Sequence, residues 1–382
     1  MFDGFEEFAK SKGKDITIEY RPVMSVNYDS IMDIQLSRGE GPDLFYVRPF
    51  SVDGSIAKYL TPLNDLPIEE NYAATKSIAW RNSAGTYYAV PFVGVVQGVY
   101  YNKNLFDKYG ISEPKTWQEF LANLETIREK DPEITPIANA LNHREDSEMF
   151  MSIAANFLGG PGGREQLMRT DGTALCYDAS KVFSSFKAIE DIKPYLSNDA
   201  GTINSQNTKE LFFKQQAVMM FGGSWDLKKV TDEATDFEWD VFAVPAPAFH
   251  KTYVIFQPDI AVGINNTTRH PAEARMFLEW LMTKEAVDLT AQNLPGFYPL
   301  NNIETTQGSN VNDEKFLKLV NEYEPDIRWM YTEINNKNPG AANIVRKSLY
   351  DMIVSGLTPA EAAQRLQAGL GEWYEPAQTC KR

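Results

Sequence analysis

The sequence predicts an α/β protein built of two lobes that exchange segments of the chain. Its 382 residues exceed one ordinary domain of about 100–200 residues. Strand and helix patterns alternate over residues 1–110, helical patterns fill the middle, strands return near 240–265, and helices end the chain. This order does not suit two consecutive domains. It favours lobes joined by more than one crossing, and several extended crossings can act together as a hinge.

The individual elements follow from the period of the apolar residues. Alternating or continuous apolar runs predict strands at 16–20, 44–47, 87–91, 95–101, 217–221, 239–244 and 260–264. Apolar residues three and four apart predict helices at 2–9 and 28–38, over much of 117–195, at 272–292 and near the end of the chain. The short strand–helix–strand order at 16–47 predicts that its two strands pair in parallel through a right-handed crossover.

Turn and capping signals separate these elements. The segments 116–119 (TWQE) and 358–361 (TPAE) have the spacing of capping boxes. The glycine pair at 222–223 predicts a turn, after which Ser224 is expected to cap a helix. The glycine-rich stretch 159–163 lacks the Lys-Ser/Thr of a phosphate-binding loop, so we interpret it as a connector.

Charge and composition exclude several classes of partner. The net charge is −15, whereas nucleic-acid binding needs a concentrated basic surface. The same charge disfavours docking on an anionic membrane. No apolar run reaches the roughly 18–20 residues that a membrane span requires. We therefore expect a chain that neither binds nucleic acid nor inserts into a membrane.

The chain has few groups that could hold a metal or form a disulfide. Cys176 and Cys380 lack partner histidines at metal spacing, and 3 histidines leave little for a zinc site, so we predict no metal and no cofactor. A Cys176–Cys380 disulfide and two isolated thiols both stay open, and the second is favoured. Met1 precedes an acidic amphipathic stretch rather than a basic and then apolar one, so we expect no export signal in this chain.

A series of motifs connects the chain to a known family. The stretch 85–120 contains Tyr88, Pro91, YYNKNLF at 100–106 and PKTWQEF at 114–120. Further matches are EGPDLFYV at 40–47, KQQAVMMFGGSWDL at 214–227, NNTTRHPAEARMFLEWLMTKEA at 265–286 and VSGLTPAEAAQRL at 354–366. Each motif alone is weak. In series they resemble the extracellular solute-binding proteins of sugar-type ABC importers, the group that includes maltose-binding protein.

The resemblance implies the two-lobed type II periplasmic-binding-protein fold with hinge crossings. We expect an N-terminal α/β lobe of residues 1–106 and 251–305, and a helix-rich α/β C-terminal lobe of 107–250 and 306–382. Family members begin with a strand before the first helix, whereas this chain starts inside that helix. The first strand of the N-terminal lobe is therefore expected to be missing, together with a ligand contact that relatives often place at its end.

Polar residues near strand ends are candidate ligand contacts, because ligands of open α/β sheets bind outside the carboxyl ends of the strands. Arg48 follows the strand at 44–47, and its planar donors suit vicinal hydroxyls or a carboxylate. Gln97 interrupts an apolar stretch, and a buried glutamine needs hydrogen-bond partners that a sugar could supply. For Arg48 the alternative is a solvated surface arginine, and for Gln97 it is a glutamine bonded to backbone at a strand end. Each alternative is as well supported as ligand binding.

Trp225 is the leading candidate for a ligand contact. It follows the 222–223 glycine pair at a strand-to-helix turn, and the resemblance implies that the tryptophan at this place stacks on sugar rings. The apolar face of a pyranose fits an aromatic plane. The alternative is a core tryptophan that caps its own helix.

Asp259, with Gln257, precedes the strand at 260–264 and could accept two hydroxyl hydrogens.

Weaker candidates and core residues complete the prediction. The weaker ligand candidates are Tyr298, Asn343, and His143 and Glu145 of the polar loop at 143–145. The aromatic residues predicted to pack in the core instead are Trp117, Trp239 and Trp280.

The resemblance implies a receptor rather than an enzyme. We expect a monomer that binds a sugar or oligosaccharide between its lobes with high affinity and delivers it to an ABC transporter membrane permease. This would happen in the periplasm or elsewhere outside the cytoplasm, with or without a lipid anchor. A polyamine or glycerol phosphate ligand, a sensing role, and glycoside hydrolysis remain alternatives. Hydrolysis would need two carboxylates beside one glycosidic bond, but the presence of 52 acidic residues is not evidence for such a pair. A serine hydrolase is disfavoured because 222–226 lacks the final glycine of Gly-x-Ser-x-Gly.

Overall fold

The chain divides into two compact units. The computed structural model describes residues 1–23, 28–139, 144–197, 205–304 and 311–381. The N-terminal unit comprises Met1–Val95 and Pro258–Asn310, and the C-terminal unit comprises Val96–Gln257 and Val311–Arg382. The chain therefore passes from one unit to the other at 95/96, 257/258 and 310/311. The sequence placed these crossings at 106/107, 250/251 and 305/306.

Helices and strands cover most of the described residues. The strands are β1 (Leu44–Val47), β2 (Val90–Asn102), β3 (Thr135–Ala138), β4 (Ala217–Gly223), β5 (Trp239–Phe242), β6 (Tyr253–Ile264), β7 (Tyr298–Pro299) and β8 (Glu324–Asp326). The helices are α1 (Phe2–Ser11), α2 (Tyr28–Ser37), α3 (Ile68–Asn71), α4 (Ala74–Ser77), α5 (Lys103–Tyr109), α6 (Trp117–Lys130), α7 (Arg144–Leu158), α8 (Gly160–Met168), α9 (Val182–Ile192), α10 (Ser205–Phe213), α11 (Leu227–Glu233), α12 (Pro271–Leu281), α13 (Lys284–Asn293), α14 (Val311–Glu322), α15 (Ala341–Val354), α16 (Pro359–Gly371) and α17 (Glu375–Thr379).

The N-terminal unit packs α1 against α12 and α13 beside a small sheet. β1 pairs antiparallel with the second half of β6, so that Leu44 faces Ile264, and the start of β2 pairs antiparallel with β7. Phe5 of α1 is fully buried between Phe277 and Trp280, with ring centroids 5.0 and 5.7 Å away. This aromatic cluster fixes α1 on the two later helices.

The prediction of a strand at residues 16–20 is wrong. These residues form no strand among the described residues, and the described partner of β1 is the antiparallel strand β6, so the predicted parallel crossover is wrong too. Ile16 and Ile18 are half-buried, and the Ile18 backbone N–H donates to Glu6 Oε1 at 3.1 Å instead of to a neighbouring strand. An extended segment resting against a helix gives the same alternation of apolar residues as a strand.

β2 and β6 are longer than the sequence predicted because each changes partner along its length. β2 is one strand of 13 residues, which pairs with β7 near its start and with β4 and β5 in its second half. β6 pairs with β8 through residues 253–255 and with β1 through residues 261–264. Pro258 lies between these two ladders, where its missing N–H removes none of their hydrogen bonds.

The C-terminal unit has a sheet covered by long helices. β4 lies between β3, to which it is parallel, and β2, to which it is antiparallel. Helices α7, α9, α15 and α16 pack against one another over a core that includes Phe150, Phe186 and Trp329. The three tryptophans that the sequence assigned to packing are all buried: Trp117 is 3% exposed, Trp239 8% and Trp280 0%.

One predicted capping box is confirmed and the other is incomplete. At α16, Thr358 Oγ1 accepts from the Glu361 N–H and the Glu361 carboxylate accepts from the Thr358 N–H. At α6, Thr116 Oγ1 accepts from the Glu119 N–H at 3.2 Å, but Glu119 accepts from the Lys115 N–H instead of from Thr116. The α6 helix therefore begins with one bond of the capping box, and the Lys115–Glu119 bond takes the place of the other.

The glycine-rich stretch 159–163 is a helix start rather than a connector. α8 begins at Gly160, where a β-carbon would lie 2.3 Å from the ring of Tyr253. A β-carbon on Gly163 would lie 1.9 Å from the carbonyl oxygen of Leu158. The glycines are required here because neighbouring groups approach the backbone closely.

A disulfide joins Cys176 to Cys380, so the interpretation as two isolated thiols is wrong. The Cα atoms are 5.0 Å apart across a sequence separation of 204 residues. The Cys176 N–H donates to the Lys381 carbonyl and the Lys381 N–H donates to the Ala174 carbonyl, which places the two segments side by side. Sequence could not reveal this approach because pairing depends on the positions of the Cα atoms in the fold.

Candidate functional site

Trp225 lies at the turn after β4, and its neighbours fix the position of its ring. A β-carbon on Gly223 would lie 2.1 Å from the Trp225 ring, so glycine is needed where the ring approaches the strand. The Gly223 carbonyl accepts from the Tyr100 hydroxyl at 2.8 Å. Ser224 does not cap the helix as predicted, since its hydroxyl accepts from the Val96 N–H at 3.0 Å. The ring itself is partly exposed.

A buried arginine lies against the ring. The guanidinium carbon of Arg328 is 4.9 Å from the ring centroid of Trp225, within the range of a cation–π interaction. Arg328 is only 3% exposed. Its Nε lies 2.8 Å from Oε2 of Glu148, but the N–H is not aligned as a hydrogen bond, so we describe the contact as an ion pair.

Helix α7 supplies the buried acid and a row of polar neighbours. Glu148, Ser152 and Asn156 are spaced four residues apart, which places them on one face of the helix. Glu148 is 7% exposed and accepts from the amide of Gln97. The Ser152 hydroxyl donates to Gln97 Oε1 at 3.0 Å. The Asn156 amide donates to the carbonyls of Val244 and Tyr253.

The two glutamines predicted as ligand contacts are bonded within the protein. Gln97 is 2% exposed, and both ends of its amide meet α7. Gln257 is 1% exposed, and its Oε1 accepts from the Arg328 backbone N–H at 2.8 Å. We call the residues that are linked to the ring through Arg328 the Trp225 cluster, which consists of Gln97, Glu148, Ser152, Trp225, Gln257 and Arg328.

The electrostatics of the Trp225 cluster balance locally. Removing an unpaired guanidinium or carboxylate from water would cost several kcal/mol, so a buried Arg328 requires an acid such as Glu148 beside it. The positive guanidinium is also attracted to the negative face of the indole ring. The cluster therefore combines a neutral buried ion pair with a partly exposed aromatic surface.

Arg48 lies in the N-terminal unit among tyrosines. Its guanidinium carbon is 5.7 Å from the ring centroid of Tyr28 and 5.5 Å from that of Tyr46. The Tyr28 hydroxyl donates to the Tyr46 carbonyl at 2.6 Å, which holds the start of α2 on β1. Arg48 and both tyrosines are half-buried. They form a cationic and aromatic surface at the carboxyl end of β1, where the sequence expected a ligand contact.

The remaining candidates lie in different surroundings. Asp259 is half-buried on β6, and Tyr298 is 9% exposed in the short ladder between β7 and β2. Asn343 is exposed within the first turn of α15 and accepts from Arg346. His143 and the side chain of Glu145 lie outside the described residues.

The sequence reasoning missed Glu148, Ser152 and Arg328. The available signal was the polar spacing of α7, where Ser152 and Asn156 follow Glu148 at intervals of four residues and interrupt the apolar stretch 149–158. Arg328 stands between Ile327 and Trp329, a charge inside an apolar run. Neither pattern shows which residue pairs with which, because residues 148 and 328 are far apart in the sequence and come into contact only in the folded chain.

The described residues contain neither a cluster of metal ligands nor a membrane-spanning helix. Within the described ranges, no group of three or more His, Cys, Asp and Glu side chains is arranged to hold a metal ion. No helix in the described part of the chain is both long and apolar enough to cross a membrane.

Two α/β units joined by three crossings match the two-lobed type II fold of solute-binding proteins. The sequence matches the profile of the bacterial extracellular solute-binding proteins over residues 3–288. The chain belongs to this family.

Curated relatives of the chain are named for sugars. The multiple sugar-binding protein of Streptococcus mutans is 26% identical over 216 residues, which are 52% of this chain and 48% of that protein. The melibiose/raffinose/stachyose-binding protein MelE of Bacillus subtilis is 30% identical over 232 residues, 59% of this chain and 52% of that protein. The chain thus spans about half the length of these curated relatives.

Solved structures of this fold match over most of the chain. A chitin oligosaccharide binding protein has a TM-score of 0.80 at 21% identity, covering 97% of this chain and 93% of that one. The GacH receptor of Streptomyces glaucescens has a TM-score of 0.78 at 17% identity, covering 99% and 95%. At such identities these matches establish the fold.

Proposed function

We propose that this chain binds a neutral sugar or oligosaccharide outside the cytoplasm, without turnover, and delivers it as a monomer to an ABC transporter permease. The observation that carries the proposal is the partly exposed ring of Trp225, held against a buried Arg328–Glu148 pair. Membership of an extracellular solute-binding family supports it, as do the sugar-binding names of relatives such as MelE.

A neutral carbohydrate suits the chemistry of the Trp225 cluster. A pyranose presents an apolar C–H face that can cover an indole ring, while its hydroxyls bond to polar groups at the edge. A polyamine would need a ring face and a carboxylate, but Arg328 already makes a cation–π contact with Trp225 and already pairs with Glu148. The cluster therefore favours a sugar over a cationic solute.

The carboxylate of the cluster is poorly suited to hydrolysis. Glycoside hydrolysis uses two carboxyl groups on either side of the scissile bond, one of which must donate a proton. Glu148 is buried, and its Oε2 both accepts from the Gln97 amide and pairs with Arg328, so this oxygen is held inside the protein. This arrangement supports binding without chemistry.

A thermal-shift screen tests the proposal. The purified chain is mixed with mono- and oligosaccharides, and with polyamines and glycerol phosphates as contrast, and its unfolding temperature is measured. We expect at least one neutral carbohydrate to raise that temperature by several degrees, because a ligand that binds only the folded state stabilises it. Chromatography of the same mixtures after incubation should recover the carbohydrate unchanged. A shift with polyamines alone, or conversion of the sugar, would contradict the proposal.

A further inference from the structure

We infer that Arg328 is a positioning residue, which holds Trp225 in the orientation that meets the ligand, and that buried Glu148 supports Arg328 in this role. The inference rests on the proposed function, because it concerns how the same site is kept ready to bind. Neither residue needs to touch the ligand. Arg328 is 3% exposed and Glu148 is 7% exposed, whereas the ring of Trp225 is partly exposed.

Arg328 is fixed at both its ends. Its side chain meets Glu148 Oε2 at 2.8 Å, and its backbone N–H donates to Gln257 Oε1 at 2.8 Å. A guanidinium anchored in this way holds its central carbon at a set distance, 4.9 Å, from the ring centroid of Trp225. A planar, permanently charged group can lie against an indole, whereas the compact ammonium of lysine would make a smaller contact.

The opposite constraint on Trp225 comes from the strand before it. No β-carbon fits at Gly223, because the ring lies too close, and the hydroxyl of Ser224 accepts from the Val96 N–H. The two residues that precede Trp225 are thus held in place, Gly223 as the last residue of β4 and Ser224 by its bond to β2. The tryptophan can then bind a sugar without first losing side-chain freedom, which is the advantage of a preorganised contact.

The support also reaches β2 and β6, the strands through which the chain enters and leaves the C-terminal unit. Gln97 is the second residue after the 95/96 crossing, and Gln257 is the last residue before the 257/258 crossing. Each is bonded to one member of the ion pair, Gln97 to Glu148 and Gln257 to Arg328. We assign both glutamines to this support rather than to ligand contact.

A double-variant experiment separates positioning from simple stability. Arg328→Gln and Glu148→Gln each leave one buried charge without its ion-pair partner, so each should lower the unfolding temperature. The double variant removes both charges, and we expect its unfolding temperature to return to within a few degrees of wild type. Its affinity for the sugar identified by the screen should nevertheless remain at least tenfold weaker, because the support of Trp225 is gone.

A second buried ion pair in the same unit provides a matched control. Arg164 Nε lies 3.0 Å from Asp326 Oδ1, with side chains 18% and 2% exposed, and neither residue takes part in the contacts described above for the Trp225 cluster. Arg164→Gln should lower the unfolding temperature while leaving the sugar affinity within twofold of wild type. Arg328→Lys, which keeps the charge but loses the plane, should bind with intermediate affinity.

A ligand-independent measurement completes the test. Acrylamide quenching of Trp225, taken as the difference between each protein and its Trp225→Phe counterpart, should be greater in the double variant than in wild type. Wild-type affinity in the double variant, or an affinity loss as large in Arg164→Gln, would overturn the inference. If the wild-type chain binds no carbohydrate, the proposed function fails instead, and the quenching decides the inference alone: an unchanged value overturns it.

Discussion

At the scale of single residues, burial separates the side chains that support a site from those that can meet a ligand. Gln97, Gln257 and Trp225 all carry the same sequence signal, a polar or aromatic residue near a strand end. Only Trp225 of these three is partly exposed, while both glutamines are bonded inside the C-terminal unit. Sequence could nominate all three but could not rank them, because hydrogen-bond partners come from elements far apart in the chain.

Tyr177 offers a prediction at the same scale. Its hydroxyl is buried and has no hydrogen-bond partner among the described residues, and burial raises the pKa of this tyrosine well above 10. Tyr177→Phe should therefore increase the free energy of unfolding at pH 7 by about 1 kcal/mol, since it removes an unsatisfied polar group. Urea denaturation of both proteins measures the difference.

The advantage of Tyr177→Phe should grow above pH 10. A folded-state pKa raised above the unfolded value of about 10 means that the unfolded chain loses this proton first, so the stability of the wild type falls as pH rises past that value. Phenylalanine has no such proton. A lower unfolding free energy for Tyr177→Phe at pH 7, or a difference that shrinks at alkaline pH, would contradict this interpretation of the buried hydroxyl.

At the scale of elements, sequence predicted the strongly periodic segments and failed where tertiary partners decide. β1, β4 and most long helices follow their apolar pattern. The extended segment 16–20 has a strand pattern but no ladder, and 159–163 has a loop composition but begins a helix. A strand exists only with a partner, and a glycine is placed by what packs against it, so neither outcome is contained in local sequence.

The capping threonines give a prediction at this scale. Thr358→Ala should lower the free energy of unfolding by about 1–2 kcal/mol, because it removes the hydroxyl of a complete capping box at α16. Thr116→Ala is the matched control, since Thr116 makes one cap bond and its Glu119 already accepts from Lys115. We expect the smaller loss there. Denaturant unfolding of both variants provides the comparison, and an equal or larger loss at Thr116 would contradict the assignment.

At the scale of the whole molecule, the order of motifs was more informative than any one of them. Returning strands near 240–265 indicated that the chain crosses more than once, and the structure has three unit boundaries. Sequence placed the first crossing too late because β2 runs on without a break from one unit into the other. The Cys176–Cys380 pair was missed for a similar reason, since a separation of 204 residues says nothing about proximity.

The disulfide gives the prediction for the whole chain. Reduction, or Cys176→Ser with Cys380→Ser, should lower the free energy of unfolding by about 2–5 kcal/mol, because the bond closes a long loop and restricts the unfolded chain. Calorimetric unfolding with and without reductant measures the loss. Sugar affinity should be unchanged, as neither cysteine belongs to the Trp225 cluster. Unchanged stability after verified reduction would contradict the expected role of the bond.

The most direct test of the binding site is isothermal titration of the sugar selected by the screen into wild type, Trp225→Ala and Trp373→Ala. Trp373 is a partly exposed tryptophan of the same unit whose Nε1 donates to the Pro339 carbonyl, outside the Trp225 cluster. We expect Trp225→Ala to weaken binding by about 1.5–3 kcal/mol, roughly 10- to 150-fold, through lost apolar burial, and Trp373→Ala to stay within twofold. Wild-type affinity in a folded Trp225→Ala protein would contradict the assignment of this ring to the ligand.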